Sequence, residues 1–187
     1  MMLLAALALG LAPLAWYFWR ERELRTPSRR WPRLAGLLGL AYEASAPRMS
    51  GTWNGRRVAV ETAPGGATLT VWLSRPTRLR VECGPKDEVS RRAGILIPDP
   101  VEPLDADFRA RLLARCSDKA AGPVVFDAAL QRRLAGADLD ATGAETRVIG
   151  RTALVADIDR LENQLACLCA LADGLEQFPA PGGPPHA

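Results

Sequence analysis

Residues 50–73 read SGTWNGRRVAVETAPGGATLTVWL, and their period of two decides what kind of fold this chain builds. Arg57-Val58-Ala59-Val60-Glu61 has the strand-like pattern, and Asn54-Gly55 ahead of it is the strongest short-range hairpin signal, because both turn residues accept the positive φ of a type I′ turn. Pro64-Gly65-Gly66 supplies a second turn, Thr68 to Leu73 a third strand and Leu79 to Cys83 a fourth, so the economical arrangement is an antiparallel meander. Arg56 and Arg57 beside Arg78 and Arg80 form a candidate basic face of that sheet, the competing description being simply its solvated side.

Outward from this stretch the pattern changes. Phe108, Ala110, Leu112, Ala114 and Cys116 alternate with Arg109, Arg111 and Arg115, which favours a strand over 107–116 although Ala, Arg and Leu are good helix formers. Pro123 opens a helix through Leu134 that stops near Gly136, and Thr146 to Ile149 reads as a further short strand. Leu154, Ile158, Leu161, Leu165, Leu168, Ala172 and Leu175 recur at spacings of four and three, an apolar stripe that must pack on the sheet or on a partner helix. Upstream, Pro32 is placed to begin a short amphipathic helix carrying Leu34, Leu37, Leu38 and Ala41.

The N-terminus has a different chemistry. Met1 to Trp19 contains no charged side chain and would reach roughly 28 Å as a helix, about one bilayer core. Trp16, Tyr17 and Trp19 form an interfacial aromatic belt, and Arg20, Arg22 and Arg25 follow at once. Residues 1–33 carry a net +4 and the remainder −1. That order places the N-terminus outside and the domain in the cytoplasm, and it opposes a cleaved signal peptide, which has its charge before the apolar stretch. Ala6 and Gly10 make a small-xxx-small pair suited to helix packing. The expected fold class is therefore α+β: an N-terminal single transmembrane helix followed by one domain with a mainly antiparallel sheet packed by two or three helices. The expected divisions are a membrane anchor over 1–19, an Arg-rich juxtamembrane linker over 20–33 that attracts lipid headgroups, a cytoplasmic domain over 34–178, and a Pro/Gly-rich tail over 179–187, disordered on its own.

The sequence excludes more chemistry than it offers. His186 is the single histidine and stands in the tail, which removes His-based triads, His-ligated zinc and His-ligated haem. Cys167 and Cys169 point to opposite sides of a helix, and no C-x-x-C pair exists, so no metal is expected. Cys83-Gly84-Pro85-Lys86 resembles a thioredoxin motif without its resolving thiol. Asp138-Leu139-Asp140-Ala141-Thr142-Gly143 resembles the nucleophile motif of haloacid-dehalogenase phosphatases but has no Lys downstream; as an EF-hand loop it would put Ile149 where a carboxylate is required, so it reads as an acidic turn. Neither a Walker loop nor a dinucleotide fingerprint is present, and the domain's balance of charge opposes nucleic-acid binding.

These readings predict no catalytic group, no cofactor and no metal. They point to a non-catalytic accessory subunit whose partners are other membrane-protein subunits, bracing or assembling a larger complex of respiratory or photosynthetic type in the cytoplasmic membrane. The alternative is an independent membrane-tethered sensor whose basic face, Arg56, Arg57, Arg78 and Arg80, binds a small ligand or a lipid headgroup.

Overall fold

The computed structural model describes residues 27–92, 97–153 and 157–181. The Asn-Gly hairpin forms as the sequence demands. β2 (Arg48–Trp53) turns into β3 (Arg56–Ala63) with Trp53 opposite Arg56 and with Asn54 and Gly55 both at positive φ, 48° and 75°. Ahead of them β1 (Ala41–Glu43) adds an antiparallel edge. The third and fourth expected strands are one element, β4 (Gly66–Pro85), a 20-residue strand bent by register shifts between Trp72 and Arg80. Bulges let a single strand turn where a sequence reading would break it.

β4 is the spine of a seven-stranded sheet. Along one side its first half pairs with β3 and its end with β6 (Leu112–Cys116), beyond which lies the two-residue β5 (Asp99–Pro100). Along the other side β7 (Asp140–Thr152) accompanies nearly its whole length, from Ala67↔Thr152 to Cys83↔Ala141. The segment expected to be an acidic turn is thus mostly strand. Only Asp138, left-handed at φ 47°, makes the turn, and it does so as the C-cap of the preceding helix.

The longest helix covers one face of this sheet. α6 (Ile158–Glu176) buries Leu161, Leu165, Leu168, Ala172 and Leu175, so the predicted stripe packs internally; its N-terminus is capped by Asp157, whose carboxylate accepts from the Arg160 N–H at 2.8 Å. Two glycines of β7 let it lie close. A Cβ on Gly143 would stand 2.7 Å from Leu175 Cδ1, and one on Gly150 2.9 Å from Leu168 Cδ1. α5 (Ala128–Ala137), capped by Asp127, follows the one-turn α4 (Gly122–Val125), so the helix expected from Pro123 is interrupted at Phe126 and Asp127. The region 107–116 divides between both readings: α3 (Ala106–Arg111) starts on the Asp105 cap, and β6 then takes the alternation. α2 (Lys86–Arg91) follows β4 directly.

α1 (Pro27–Leu38) starts five residues before the expected Pro32, which it contains. Its Trp31, Leu34, Ala35 and Leu38 are buried in the same apolar cluster as Met49, Val58 and Leu69, and Gly39 closes it at φ 67° with the Leu40 N–H donating to the Ala35 carbonyl at 2.8 Å. Part of the supposed linker is therefore core. At the other end the expected tail begins inside the fold, since Pro179 bridges to Thr77 and the Ala180 N–H donates to the Pro76 carbonyl at 3.0 Å.

The α+β sheet architecture stands, but the transmembrane part of the expected fold class is corrected. Among the described residues, no helix is long and apolar enough to cross a membrane. α1 has 12 residues and three arginines, and α6, though 19 residues long, carries charges on one side and gives its apolar side to the sheet. The anchor assigned to 1–19 lies outside the described residues, and placement as a single-pass protein of the cytoplasmic membrane is accordingly not supported.

Candidate functional site

The four arginines predicted to share a basic face do not share one. Arg56 has the parity of Val58 and stands on the helix-covered side, where it is clamped to the end of α6. Its guanidinium donates to Glu176 at 2.8 and 2.9 Å and also to Asp173, while Glu176 accepts from the Ser74 N–H. The Arg56 and Glu176 side chains are only 11% and 12% exposed, so this is a largely buried, bidentate pair. Hydrogen bonding from Arg56 holds the Glu176 carboxyl below its ordinary value, and hydrogen bonding to Glu176 raises Arg56 further above the neutral range. Arg78 is also engaged, pairing with Asp118 at 3.0 Å and lying 5.8 Å from the Phe178 ring centre.

Arg57 and Arg80 are on the opposite side of the sheet, away from α6. A transverse row results: Arg57, just beyond the Val58↔Val71 pair, lies against Trp72, and Trp72 faces Arg147 across β4 and β7. With strands about 4.8 Å apart, the two arginines flank the indole on successive strands. The Arg57 guanidinium lies 4.5 Å from the centre of the Trp72 ring, a cation–π contact. Beside this row an open concavity of about 390 Å³ has Arg80 and Arg147 on its walls and Ile97 and Ile149 among its lining residues. Among the described residues, Arg80 and Arg147 form no ion pair. Arg147 escaped the sequence reading, which saw a strand at 146–149 but had no means of knowing that it pairs with Trp72.

The same side of the sheet also holds a charge network that the sequence did not disclose. Glu82, its side chain 8% exposed, lies 3.5 Å from Arg115, while Arg92 reaches Asp140 at 2.6 Å and stands 3.9 Å from Glu82. Gly84 is required here, since a Cβ would lie 2.7 Å from Asp140 Oδ1. The carboxylates are matched by two guanidinium groups, which makes this a structural anchor of α2 and β6 on β4.

Burial disfavours the thiolate form of the cysteines. All four cysteines are buried and free; burial raises Cys83 and Cys116 and pushes Cys167 and Cys169 up to about 11. Among the described residues, no group of three or more His, Cys, Asp or Glu side chains is placed to hold a metal ion. Trp16, Tyr17, Trp19, Arg20, Arg22 and Arg25, the expected interfacial residues, lie outside the described residues, as do Ala6 and Gly10.

No family model matches the chain, and no curated protein matches its sequence. Among solved structures, the crystal structure of the mycobacterial trehalose monomycolate transport factor A, TtfA, is similar in fold, with a TM-score of 0.62 and 14% identity over 84% of this chain and 99% of that one. The correspondence spans nearly all of that solved chain, so it concerns the whole sheet-and-helix arrangement and not one local motif.

Proposed function

We propose that this chain is a non-catalytic accessory factor of lipid transport, one that steadies a larger membrane protein assembly instead of transforming or enclosing the lipid itself. The observation that carries this reading is the shared fold with a trehalose monomycolate transport factor across 84% of this chain. Two features of the structure favour assistance over carriage. An acyl chain taken through water has to be enclosed along its length. Three concavities among the described residues are instead open depressions of about 350, 390 and 260 Å³, each bordered by charged side chains. Among the described residues, the buried thiols and the guanidinium-matched carboxylates Glu82, Asp140 and Glu176 offer no activated nucleophile and no free acid–base pair.

The test is extraction of native membranes in mild detergent with the chain tagged at its C-terminus, followed by sizing and mass spectrometry. In parallel, surface glycolipid is labelled in cells lacking the gene. Stoichiometric co-migration with a membrane transporter, together with loss of surface-exposed glycolipid, is the expected result. Migration as a monomer with an unchanged surface lipid pattern would overturn the reading.

A further inference from the structure

We propose that the side of the sheet away from α6 carries a binding site for the phosphate of an anionic phospholipid headgroup, built from Arg80 and Arg147 over a floor containing Ile97 and Ile149, with Trp72 and Arg57 in the row next to it. The inference reaches beyond the accessory role, and it stands without it. Three observations converge. Arg80 and Arg147 line one concavity and, among the described residues, have no carboxylate partner, whereas four other arginines of the sheet are paired: Arg48 with Glu61, Arg56 with Glu176, Arg78 with Asp118, Arg115 with Glu82. Arg57 is held by the Trp72 ring in the row that includes Arg147, so its charge is oriented without being neutralised.

The third observation is the floor. Ile97 and Ile149 are only partly buried, leaving apolar surface directly beside unpaired guanidinium groups. A phosphodiester with an attached glyceride suits that combination: the anion takes charge-assisted hydrogen bonds from the arginines, and the first carbons beyond it cover the isoleucines. Trp72 contributes an amphipathic edge of the kind found at headgroup level. Glu145 also borders the concavity and leaves it net positive, one carboxylate against Arg80 and Arg147. Among the described residues β7 pairs with β4 alone, so its far side is a sheet edge open to strand addition; the lipid is favoured over an extended acidic peptide because the site sets a partly buried apolar surface beside its guanidinium groups, which a run of carboxylates leaves uncovered.

The experiment uses the full chain and a monomeric probe, dihexanoyl phosphatidylglycerol below its micellar concentration, titrated by calorimetry. Dihexanoyl phosphatidylcholine, glycerol 3-phosphate and a hexaglutamate peptide are titrated alongside. Phosphatidylglycerol is expected to bind about tenfold more tightly than phosphatidylcholine or glycerol 3-phosphate. Arg80→Gln and Arg147→Gln should each weaken it about tenfold, and Arg78→Gln, which removes an ion-paired arginine, should leave it unchanged. Trp72→Phe should reduce affinity less than either arginine variant. No measurable binding, equal affinity for phosphatidylcholine, or retained affinity in folded Arg80→Gln and Arg147→Gln chains would overturn the site. Equal binding of glycerol 3-phosphate would assign it to free phosphate esters, and tighter binding of hexaglutamate to an acidic protein segment; both overturn the lipid assignment.

Discussion

Arg56 shows how far a side chain's role depends on parity. Next to Arg57 in sequence, it points the other way and joins a sheet hairpin to a helix end 120 residues later through Glu176. Sequence reading grouped Arg56 with Arg57, Arg78 and Arg80 because it could see spacing but not the carboxylates that fold back onto two of them. Arg56→Ala strands Glu176 in a site where it is 12% exposed and should cost about 2–3 kcal/mol by denaturant unfolding. The pH dependence has a definite sign. Glu176 is lowered, so its contribution is complete above its ordinary 4.5 and is lost as pH falls through the depressed native value. The difference between wild type and Arg56→Ala should therefore shrink below about pH 4. The thiols have the opposite sign. Cys167 and Cys169 are raised, so their contribution is complete below the ordinary 9.0 and declines as pH climbs toward about 11. At pH 8 a colorimetric disulfide reagent should label the native chain very slowly and all four cysteines after guanidinium unfolding.

Elements were legible in proportion to how local their signals are. The Asn54-Gly55 hairpin and the stripe of α6 rest on turn chemistry and periodicity within a few residues; the hairpin stands as read and the stripe does so from Ile158 on, Leu154 lying outside the described residues. The capped starts at Asp105, Asp127 and Asp157 were equally local but mattered only once the long-range packing was known. What could not be read was the fusion of two predicted strands into β4 and the extension of a four-residue strand into β7, because each is completed by a partner some 70 residues away. Those pairings also explain where substitutions should hurt. Leu165→Ala, at a fully buried position of α6, should cost about 3–5 kcal/mol. Gly150→Ala places a methyl within 3 Å of Leu139 and Leu168 and should cost about 1–3 kcal/mol through overpacking. Thermal or denaturant unfolding of the purified variants checks both.

At the scale of the whole molecule, one apolar cluster runs from Trp31 to Leu175 and includes α1. The boundary expected at residue 34 cuts through it, because Arg29, Arg30 and Arg33 look like linker while Trp31, Leu34, Ala35 and Leu38 alternate with them as core. Trp31→Ala should cost about 3–5 kcal/mol, and unfolding followed by tryptophan fluorescence and by far-ultraviolet circular dichroism should coincide. Separate transitions would show α1 to be an independent unit. The candidate lipid site is legible only at this scale too, since it is assembled from β3, β4, β7 and the segment before β5.

The β4–β7 ladder has a further consequence for the order in which the chain matures. Residues 67–83 await partners at 141–152, so during synthesis the longest strand emerges from the ribosome with one edge bare until the last quarter of the protein has been made. Its hydrogen-bonding groups along that edge are open to neighbouring nascent chains for the whole interval. Translation rate and chaperone supply should therefore govern the yield of this protein more strongly than its final stability does.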